Sequence, residues 1–103
     1  MNVEEYRDAK GGSPFAEWFD DLDECAAERV TRALYRLEQG NFSNVKGVGE
    51  GVLEFKIDFG PGYRIYFGIK NNELIILLIG GTKKRQQNDI KLARQLWKKY
   101  KMT

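Results

Sequence analysis

The chain has 103 residues, of which 42% are hydrophobic and 31% are charged, and its formal net charge is +2. These values predict one soluble globular domain. We expect no signal peptide, because the first ten residues hold no apolar stretch, and no membrane span, because the longest apolar run, Leu74 to Ile79, is too short to cross a bilayer. The single cysteine, Cys25, excludes an internal disulfide and the absence of histidine argues against a zinc site, so we predict a cytoplasmic protein with no metal or other cofactor.

The first forty residues predict one strand and two helices. We expect a strand over residues 2–9 and a glycine turn after it. Ser13 is suited to cap a helix that begins at Pro14, and Gly40 is suited to end the second helix. Apolar residues recur at helical spacing in both helices: Phe15, Trp18, Phe19 and Leu22 in the first, and Ala26, Val30, Ala33, Leu34 and Leu37 in the second.

The glycine-rich stretch GNFSNVKGVGEGV, residues 40–52, resembles a phosphate-binding loop only superficially. Lys46 precedes the glycines, whereas a P-loop lysine follows them, and the pattern leads into a strand where a dinucleotide site needs a helix. We therefore predict a structural connection into the sheet.

Alternating residues predict a β-hairpin over residues 53–68. Its apolar members are odd-numbered on both arms, so the loop must have an odd length, and the three residues Gly-Pro-Gly fit. This register places Asp58 opposite Arg64 and Lys56 opposite Tyr66. We therefore expect these four side chains to stand together on an exposed polar face of the core sheet.

The remaining pattern predicts a central strand and a final helix. Leu74 to Ile79 is apolar on both faces, which is typical of a strand covered on both sides. We expect Gly80-Gly81 to end this strand and Asn71-Asn72 to join it to the preceding one as a second hairpin. An amphipathic helix should follow, with an apolar face of Ile90, Ala93, Leu96, Trp97 and Tyr100.

Positive charge is concentrated at the C-terminal end. Residues 1–50 contain six Lys/Arg and eleven Asp/Glu, whereas residues 82–103 contain eight Lys/Arg against Asp89 alone. Such a local field favours polyanions as partners, although a solvated basic helix would show the same pattern.

Two groups of side chains are candidates for chemistry. On the sheet, an arginine fork suits phosphate and a tyrosine can stack on a base, which makes Lys56, Asp58, Arg64 and Tyr66 one constellation. The alternative is that Asp58 and Arg64 form a cross-strand pair, worth about 0.2–1 kcal/mol, that only keeps the sheet soluble.

The second group lies where the central strand feeds the last helix. Lys83, Lys84 and Arg85 surround this junction, and a helix N-terminus with lysines around it is a reasonable anion site. If the helix begins here, Lys83, Gln86 and Asp89 share one face. The second hairpin would bring Arg64 into the same region.

Three stretches together resemble one family. They are SPFAEWFDDL (13–22), GNFSNVKGVGEGVLEFKIDFGPGYRIYF (40–67) and LLIGGTKKRQQNDIKLA (77–93). In combination they resemble the addiction-module killer proteins, the RelE/ParE-like toxins of type II toxin–antitoxin systems, akin to HigB. The resemblance implies a single α+β domain over residues 1–103, in which two N-terminal helices pack on a small, mainly antiparallel sheet of about four strands and a C-terminal helix follows.

The resemblance also implies an activity. The RelE-like branch cuts mRNA on the ribosome, and the ParE-like branch inhibits DNA gyrase. Our first hypothesis is a metal-independent, ribosome-dependent mRNA endoribonuclease that inhibits translation. The alternatives are a non-enzymatic gyrase inhibitor that binds through its basic C-terminal helix, and a degenerate homologue that binds its antitoxin but has no activity.

Carried over residue by residue, the family's sheet arginine falls on Arg64. The lysine, glutamine and aspartate of its G-G element fall on Lys83, Gln86 and Asp89. Arg64 would stabilise the phosphorane charge. Lys83 or Lys84 would do the same or act as a base, and Asp89 or Tyr66 would transfer the remaining proton. The side chains predicted to contact RNA are Lys56, Arg85, Gln86, Lys91 and Arg94.

This chain departs from the family pattern in one place. Well-studied RNA-cleaving members often carry a tyrosine or histidine near the start of the last helix. Here the sequence reads Gln-Gln-Asn-Asp over residues 86–89. The departure leaves the general acid and the general base open between several residues.

The predicted partners are mRNA on the ribosome and a cognate antitoxin encoded next to this chain, HigA-like and carrying a helix-turn-helix domain; no membrane partner is expected. The face with Lys56, Arg64 and Lys83, together with the basic helix from Lys91 to Lys101, should attract an acidic segment of that antitoxin.

Overall fold

The computed structural model describes residues 1–103 as one α+β unit. Its strands are β1 (Asn2–Glu5), β2 (Val45–Gly47), β3 (Leu53–Ile57), β4 (Tyr63–Lys70) and β5 (Leu74–Thr82). Its helices are α1 (Pro14–Asp20), α2 (Glu24–Glu38) and α3 (Gln86–Lys101), and a 3₁₀ turn at Lys83–Arg85 precedes α3. No helix is both long enough and apolar enough to cross a membrane.

The strands form one mixed sheet with the order β1-β5-β4-β3-β2. Only β1 runs parallel to its neighbour, and the other pairs are antiparallel. The predicted fold class is therefore confirmed, but the sheet has five strands where about four were expected. The extra strand is β2, which has only three residues inside the glycine-rich stretch and lacks an alternating pattern long enough to be recognised.

The helix ends follow the expected capping chemistry. The Oγ of Ser13 accepts a hydrogen bond from the amide of Ala16 at 3.1 Å, and Pro14 occupies the first turn. Gly40 follows α2 with a φ of 78°, a left-handed conformation that glycine adopts without a steric cost. The predicted first strand was too long, because a turn built on Asp8, which accepts from the amide of Gly12, takes the chain away from the sheet.

The register of the first hairpin differs from the prediction. Lys56 lies opposite Arg64, and Glu54 lies opposite Tyr66. The loop therefore has five residues, because the amide of Gly62 bonds the carbonyl of Phe59 at 3.0 Å and keeps the chain in a turn. A shift of two residues leaves each side chain on its predicted face, since side chains alternate with a period of two.

The predicted end of β5 at its two glycines is also wrong. β5 continues through Gly80 and Gly81 to Thr82. A side chain at Gly80 would overlap the ring of Trp18, and one at Gly81 would overlap the carboxylate of Asp89. The glycines therefore let helices on both faces approach the strand closely, and they do not terminate it.

The sheet lies between two apolar cores. α1 and α2 cover one face, where the core includes Phe15, Val30, Leu37, Ile65 and Phe67. α3 covers the other face, where the core includes Tyr6, Tyr66, Leu78, Leu96 and Trp97. β5 is thus buried on both sides, which confirms its predicted central place.

Candidate functional site

The candidate site lies where β5 ends and the 3₁₀ turn leads into α3. The amide of Lys83 donates to the carbonyl of Gly62 at 2.9 Å, which ties this junction to the loop that precedes β4. Asn71 and Asn72 join β4 to β5 with positive φ angles, as a tight turn requires. This second hairpin brings Arg64 and Lys83 into one region, as the sequence predicted.

Arg64 is buried, which corrects the prediction of an exposed polar face. Only 4% of its surface is accessible, because α3 covers the sheet here. Its Nη1 donates to the carbonyl of Gly62 at 2.6 Å, and its Nε lies 4.0 Å from Oε1 of Glu54. Its ion pair is therefore with Glu54, and the pair expected with Asp58 does not form, since Asp58 lies outside the strand and faces Lys56 at 3.5 Å.

Glu54 is the site residue that the sequence analysis missed. It is 1% exposed and accepts a hydrogen bond from Nε2 of Gln86 at 3.0 Å. Nζ of Lys46 lies 3.7 Å from its second carboxylate oxygen. The sequence pattern does place Glu54 on the same face of the sheet as Arg64. It does not show that this face is buried, because the burial depends on how α3 packs against the sheet.

Tyr66 is fully buried beside this pair. Its hydroxyl has no hydrogen-bond partner. Burial raises the pKa of the Tyr66 phenol, and the negative charges of Glu54 and Asp89 raise it further, while Arg64 acts in the opposite direction. Tyr66 is therefore protonated at neutral pH, and it can serve as a proton donor but not as a base.

Asp89 lies on the first turns of α3, against Gly81 of β5. It is 6% exposed, and its Oδ2 has no hydrogen-bond partner. Oδ1 lies 4.0 Å from Nε of the exposed Arg85. Burial raises the pKa of the Asp89 carboxyl, and Arg85 offsets part of this rise.

We expect Asp89→Asn to gain stability relative to the wild type as the pH rises. The raised pKa means that the folded state holds the Asp89 proton more tightly than the unfolded state, so wild-type stability falls as pH rises from the ordinary pKa of 3.8 through the raised one. Urea unfolding of both proteins between about pH 3 and pH 8 should show the variant's advantage growing and then levelling off. A difference that stays constant with pH would contradict this account.

The other predicted RNA contacts divide into exposed and engaged side chains. Lys56, Lys83, Lys84, Arg85 and Lys91 are exposed. Gln86 is partly exposed and bonded to Glu54, so it forms part of the buried cluster.

Arg94 is also engaged, because its Nε and Nη2 both donate to the carbonyl of Val48. The Arg94 guanidinium is therefore already engaged and not free to bind RNA, because it holds the glycine-rich loop against α3. Gly49 permits this contact, since an added Cβ would lie 2.6 Å from the Arg94 guanidinium. The predicted structural role of this loop is consistent with that arrangement.

A basic groove of about 690 Å³ separates α3 from β2. Lys46, Lys91 and Arg94 line it together with Gln87, and it has no acidic lining residue. Lys46 also contacts Glu54, so the groove leads toward the buried cluster. Its charge and its position suit a phosphate backbone that approaches the start of α3.

Four of the buried polar atoms without a hydrogen-bond partner lie in this one cluster. Glu54, Arg64, Tyr66 and Asp89 each have one atom without a hydrogen-bond partner. Unpaired buried polar groups cost stability, and they concentrate where a ligand or a reaction uses them. Two carboxylates, a protonated phenol and a guanidinium under an exposed basic turn can hold a phosphate and move protons around it.

Comparison with known proteins shows which family this sequence matches. The sequence model of the family described as phage-derived protein Gp49-like (DUF891) matches residues 17–98, which is most of the chain. An uncharacterized protein of Haemophilus influenzae is 41% identical over 83 residues, which cover 80% of this chain and 84% of that relative.

Proposed function

Because the chain belongs to the Gp49-like phage-derived family, a RelE-like family of addiction-module toxins, we propose that it is a HigB-like toxin that cuts mRNA on the ribosome and so inhibits translation in the cytoplasm. A toxin family of this kind implies a cognate antitoxin. We propose that this antitoxin is HigA-like, with a helix-turn-helix domain, and is encoded beside the toxin.

One observation carries the proposal for RNA chemistry. The exposed 3₁₀ turn, Lys83 to Arg85, borders a buried cluster that contains both proton acceptors and a proton donor. The amide of Lys83 and Nη1 of Arg64 both donate to the carbonyl of Gly62, and Nε of Arg85 lies 4.0 Å from Oδ1 of Asp89. The cations suit a phosphate, and the cluster suits general acid–base catalysis. A surface that only bound a partner protein would gain nothing from buried carboxylates that each keep one oxygen without a hydrogen bond.

The proposed reaction is a transesterification within the RNA. The 2′-oxygen attacks the adjacent phosphorus, and the bond from phosphorus to the 5′-oxygen breaks. The 2′-hydroxyl proton passes to a base, and the departing 5′-oxygen receives a proton from an acid. The products are a 2′,3′-cyclic phosphate and a 5′-hydroxyl, so no oxidant or external nucleophile is consumed.

The residues divide between these tasks according to their environment. Lys83 and Lys84 neutralise the phosphorane, because they are exposed and close to its proposed place. Asp89 is the proposed base, since burial raises its pKa toward neutral pH, where a general base is most effective. Tyr66 is the proposed acid, because its phenol stays protonated.

Arg64 and Glu54 act from beneath the phosphate. Their mutual approach at 4.0 Å holds the Arg64 guanidinium in the cluster, with its charge partly offset by the Glu54 carboxylate. Gln86 is partly exposed and donates to Glu54 at 3.0 Å, so an incoming RNA phosphate would accept this hydrogen bond from Nε2 of Gln86 in place of Glu54. The strand would then follow the basic groove past Lys46 and Lys91.

Induction without the antitoxin tests the proposal. We expect growth and translation to stop and transcripts to be cut at positions that depend on ribosome engagement. The double variant Lys83→Ala/Lys84→Ala should lose most of this cleavage. The control Lys98→Ala/Lys99→Ala removes the same charge from the exposed far end of α3 and should retain it.

The outcomes separate the remaining candidates. Intact transcripts in arrested cells, with filamentation and DNA damage, would replace RNA cleavage with gyrase inhibition. A folded protein that stops neither growth nor translation would indicate a homologue that only binds its antitoxin. Equal cleavage by both double variants would remove the proposed role of the 3₁₀ turn.

A further inference from the structure

Helix α2 carries a row of arginines on one face. Arg29, Arg32 and Arg36 follow one another at intervals of three and four residues, so they lie on one side of the helix. All three are exposed. They occur in the half of the chain that is acidic as a whole, with eleven Asp/Glu against six Lys/Arg in residues 1–50, so the total charge conceals this local positive surface.

The three arginines line a small recess between α2 and β3, which has a volume of about 210 Å³. Its other polar lining residues are Asn44, Lys56 and Asp58, and its apolar ones are Ala33, Phe55 and Ile57. Four cationic side chains therefore face a single carboxylate. The recess is separate from the basic groove, which lies between β2 and α3.

Two of the four cations have no anionic partner. Neither Arg29 nor Arg36 has a carboxylate oxygen within 4.0 Å. The Arg29 guanidinium lies over the ring of Phe59, 4.4 Å from its centroid, which holds this cation in place without neutralising it. Arg32 and Lys56 form only exposed ion pairs, which are weak and yield to a stronger anion.

The lining selects a compact oxyanion with more than one negative charge. Guanidinium groups present paired donors that match the oxygens of a phosphate. The recess is smaller than the roughly 300–1,000 Å³ of sites that enclose whole small molecules, so it admits phosphate groups but not a nucleoside. A base would also find no aromatic face, because Arg29 covers Phe59 and Phe55 is buried.

We propose that the recess between α2 and β3 binds a diphosphate group, carried either by inorganic pyrophosphate or by the end of a nucleotide. Four cations against one carboxylate suit two linked phosphates. An RNA strand is a poorer occupant, because a recess of this volume takes no continuous backbone and the exposed Asp58 in its lining repels one. The inference does not rest on the RNA chemistry proposed above.

Calorimetric titration with pyrophosphate tests the proposal. We expect Arg32→Gln/Arg36→Gln to bind at least about tenfold more weakly than the wild type, because charge-assisted hydrogen bonds to the phosphates are lost. Both side chains are exposed, so the variant should fold. Lys98→Gln/Lys99→Gln is the matched control, since it removes the same charge from the far end of α3 and should bind as the wild type does.

A second control addresses the other cationic site. Lys83→Gln/Lys84→Gln removes the same charge from the 3₁₀ turn and should leave pyrophosphate affinity unchanged. In the wild-type chain, pyrophosphate should shift the Nε–Hε NMR signals of the three α2 arginines but not that of Arg85. This measurement uses the native sequence, so it decides the question even if a variant fails to fold.

ADP distinguishes the two sources of the diphosphate. An affinity equal to that of pyrophosphate would indicate the free anion, and an affinity at least about tenfold higher would indicate a nucleotide whose nucleoside lies outside the recess. Either result supports the site, provided that Arg32→Gln/Arg36→Gln weakens it.

Three results would overturn the proposal. They are no binding of pyrophosphate to the wild type up to about 1 mM, equal weakening by the α2 variant and either lysine control, and an oligoribonucleotide that shifts the α2 arginine signals when pyrophosphate does not. Because the readout is ligand binding, it is separable from the RNA test. Pyrophosphate binding at α2 by a chain that leaves mRNA intact would refute only the proposed activity.

Discussion

Arg64→Gln is expected to reduce RNA cleavage and toxicity at least about a hundredfold, the scale found when one preorganised electrostatic group is removed from an active site. Arg64 is the buried cation nearest to Glu54, and its Nη1 also holds the carbonyl of Gly62 beside the 3₁₀ turn. Losing it removes the positive charge beneath the proposed phosphate position and frees the loop that positions Lys83.

The same substitution should destabilise the protein, because it removes the buried cation beside the buried Glu54 carboxylate and leaves only the exposed Lys46 as a charged neighbour. Breaking a buried pair in this way costs about 3–5 kcal/mol. The double variant Glu54→Gln/Arg64→Gln removes both charges and should recover most of the stability. It should not recover cleavage, so activity and folding are read separately.

Urea unfolding and cleavage of ribosome-bound mRNA are the two measurements. If the double variant folds like the wild type and also cuts RNA at the wild-type rate, Arg64 has only a structural role. If Arg64→Gln alone is as stable as the wild type, the Glu54 interaction is weaker than its geometry indicates.

Gly80→Ala is expected to destabilise the protein through a steric clash in the core. A Cβ at this position would overlap the ring of Trp18, which packs edge-on against Tyr63 with ring centroids 6.3 Å apart and tilted against Phe15 at 5.7 Å. The ring cannot move without displacing α1 from the sheet. Overpacking of this kind costs about 1–3 kcal/mol, and the rigid ring places the expected value at the upper end.

Gly47→Ala is the control, because no atom lies within 4 Å of the Cβ that it would add. We expect it to change the free energy of unfolding by less than about 0.5 kcal/mol. Adding Trp18→Phe to Gly80→Ala should restore part of the loss, since a smaller ring makes room for the methyl group. Strict additivity of these two changes would show that the residues do not compete for the same space.

The sequence by itself determined the elements whose signals are local. Ser13 and Pro14 define the start of α1, because capping depends only on neighbouring residues. The alternation in the hairpin assigned side chains to the two faces of the sheet correctly, even though the register was shifted, since a shift of two preserves the face. The basic run after β5 likewise placed Lys83 to Arg85 at the start of the last helix.

Only the tertiary structure decided what covers each face. Glu54, Arg64 and Tyr66 occupy polar positions of a strand pattern that predicts exposure, but α3 docks over them and Gln86 reaches Glu54 from a position 32 residues away in sequence. Gly80 and Gly81 resemble a strand end in the sequence, and they serve close helix packing in the fold. Burial, and with it the raised pKa values of Tyr66 and Asp89, arises from contacts between distant segments, which no local pattern encodes.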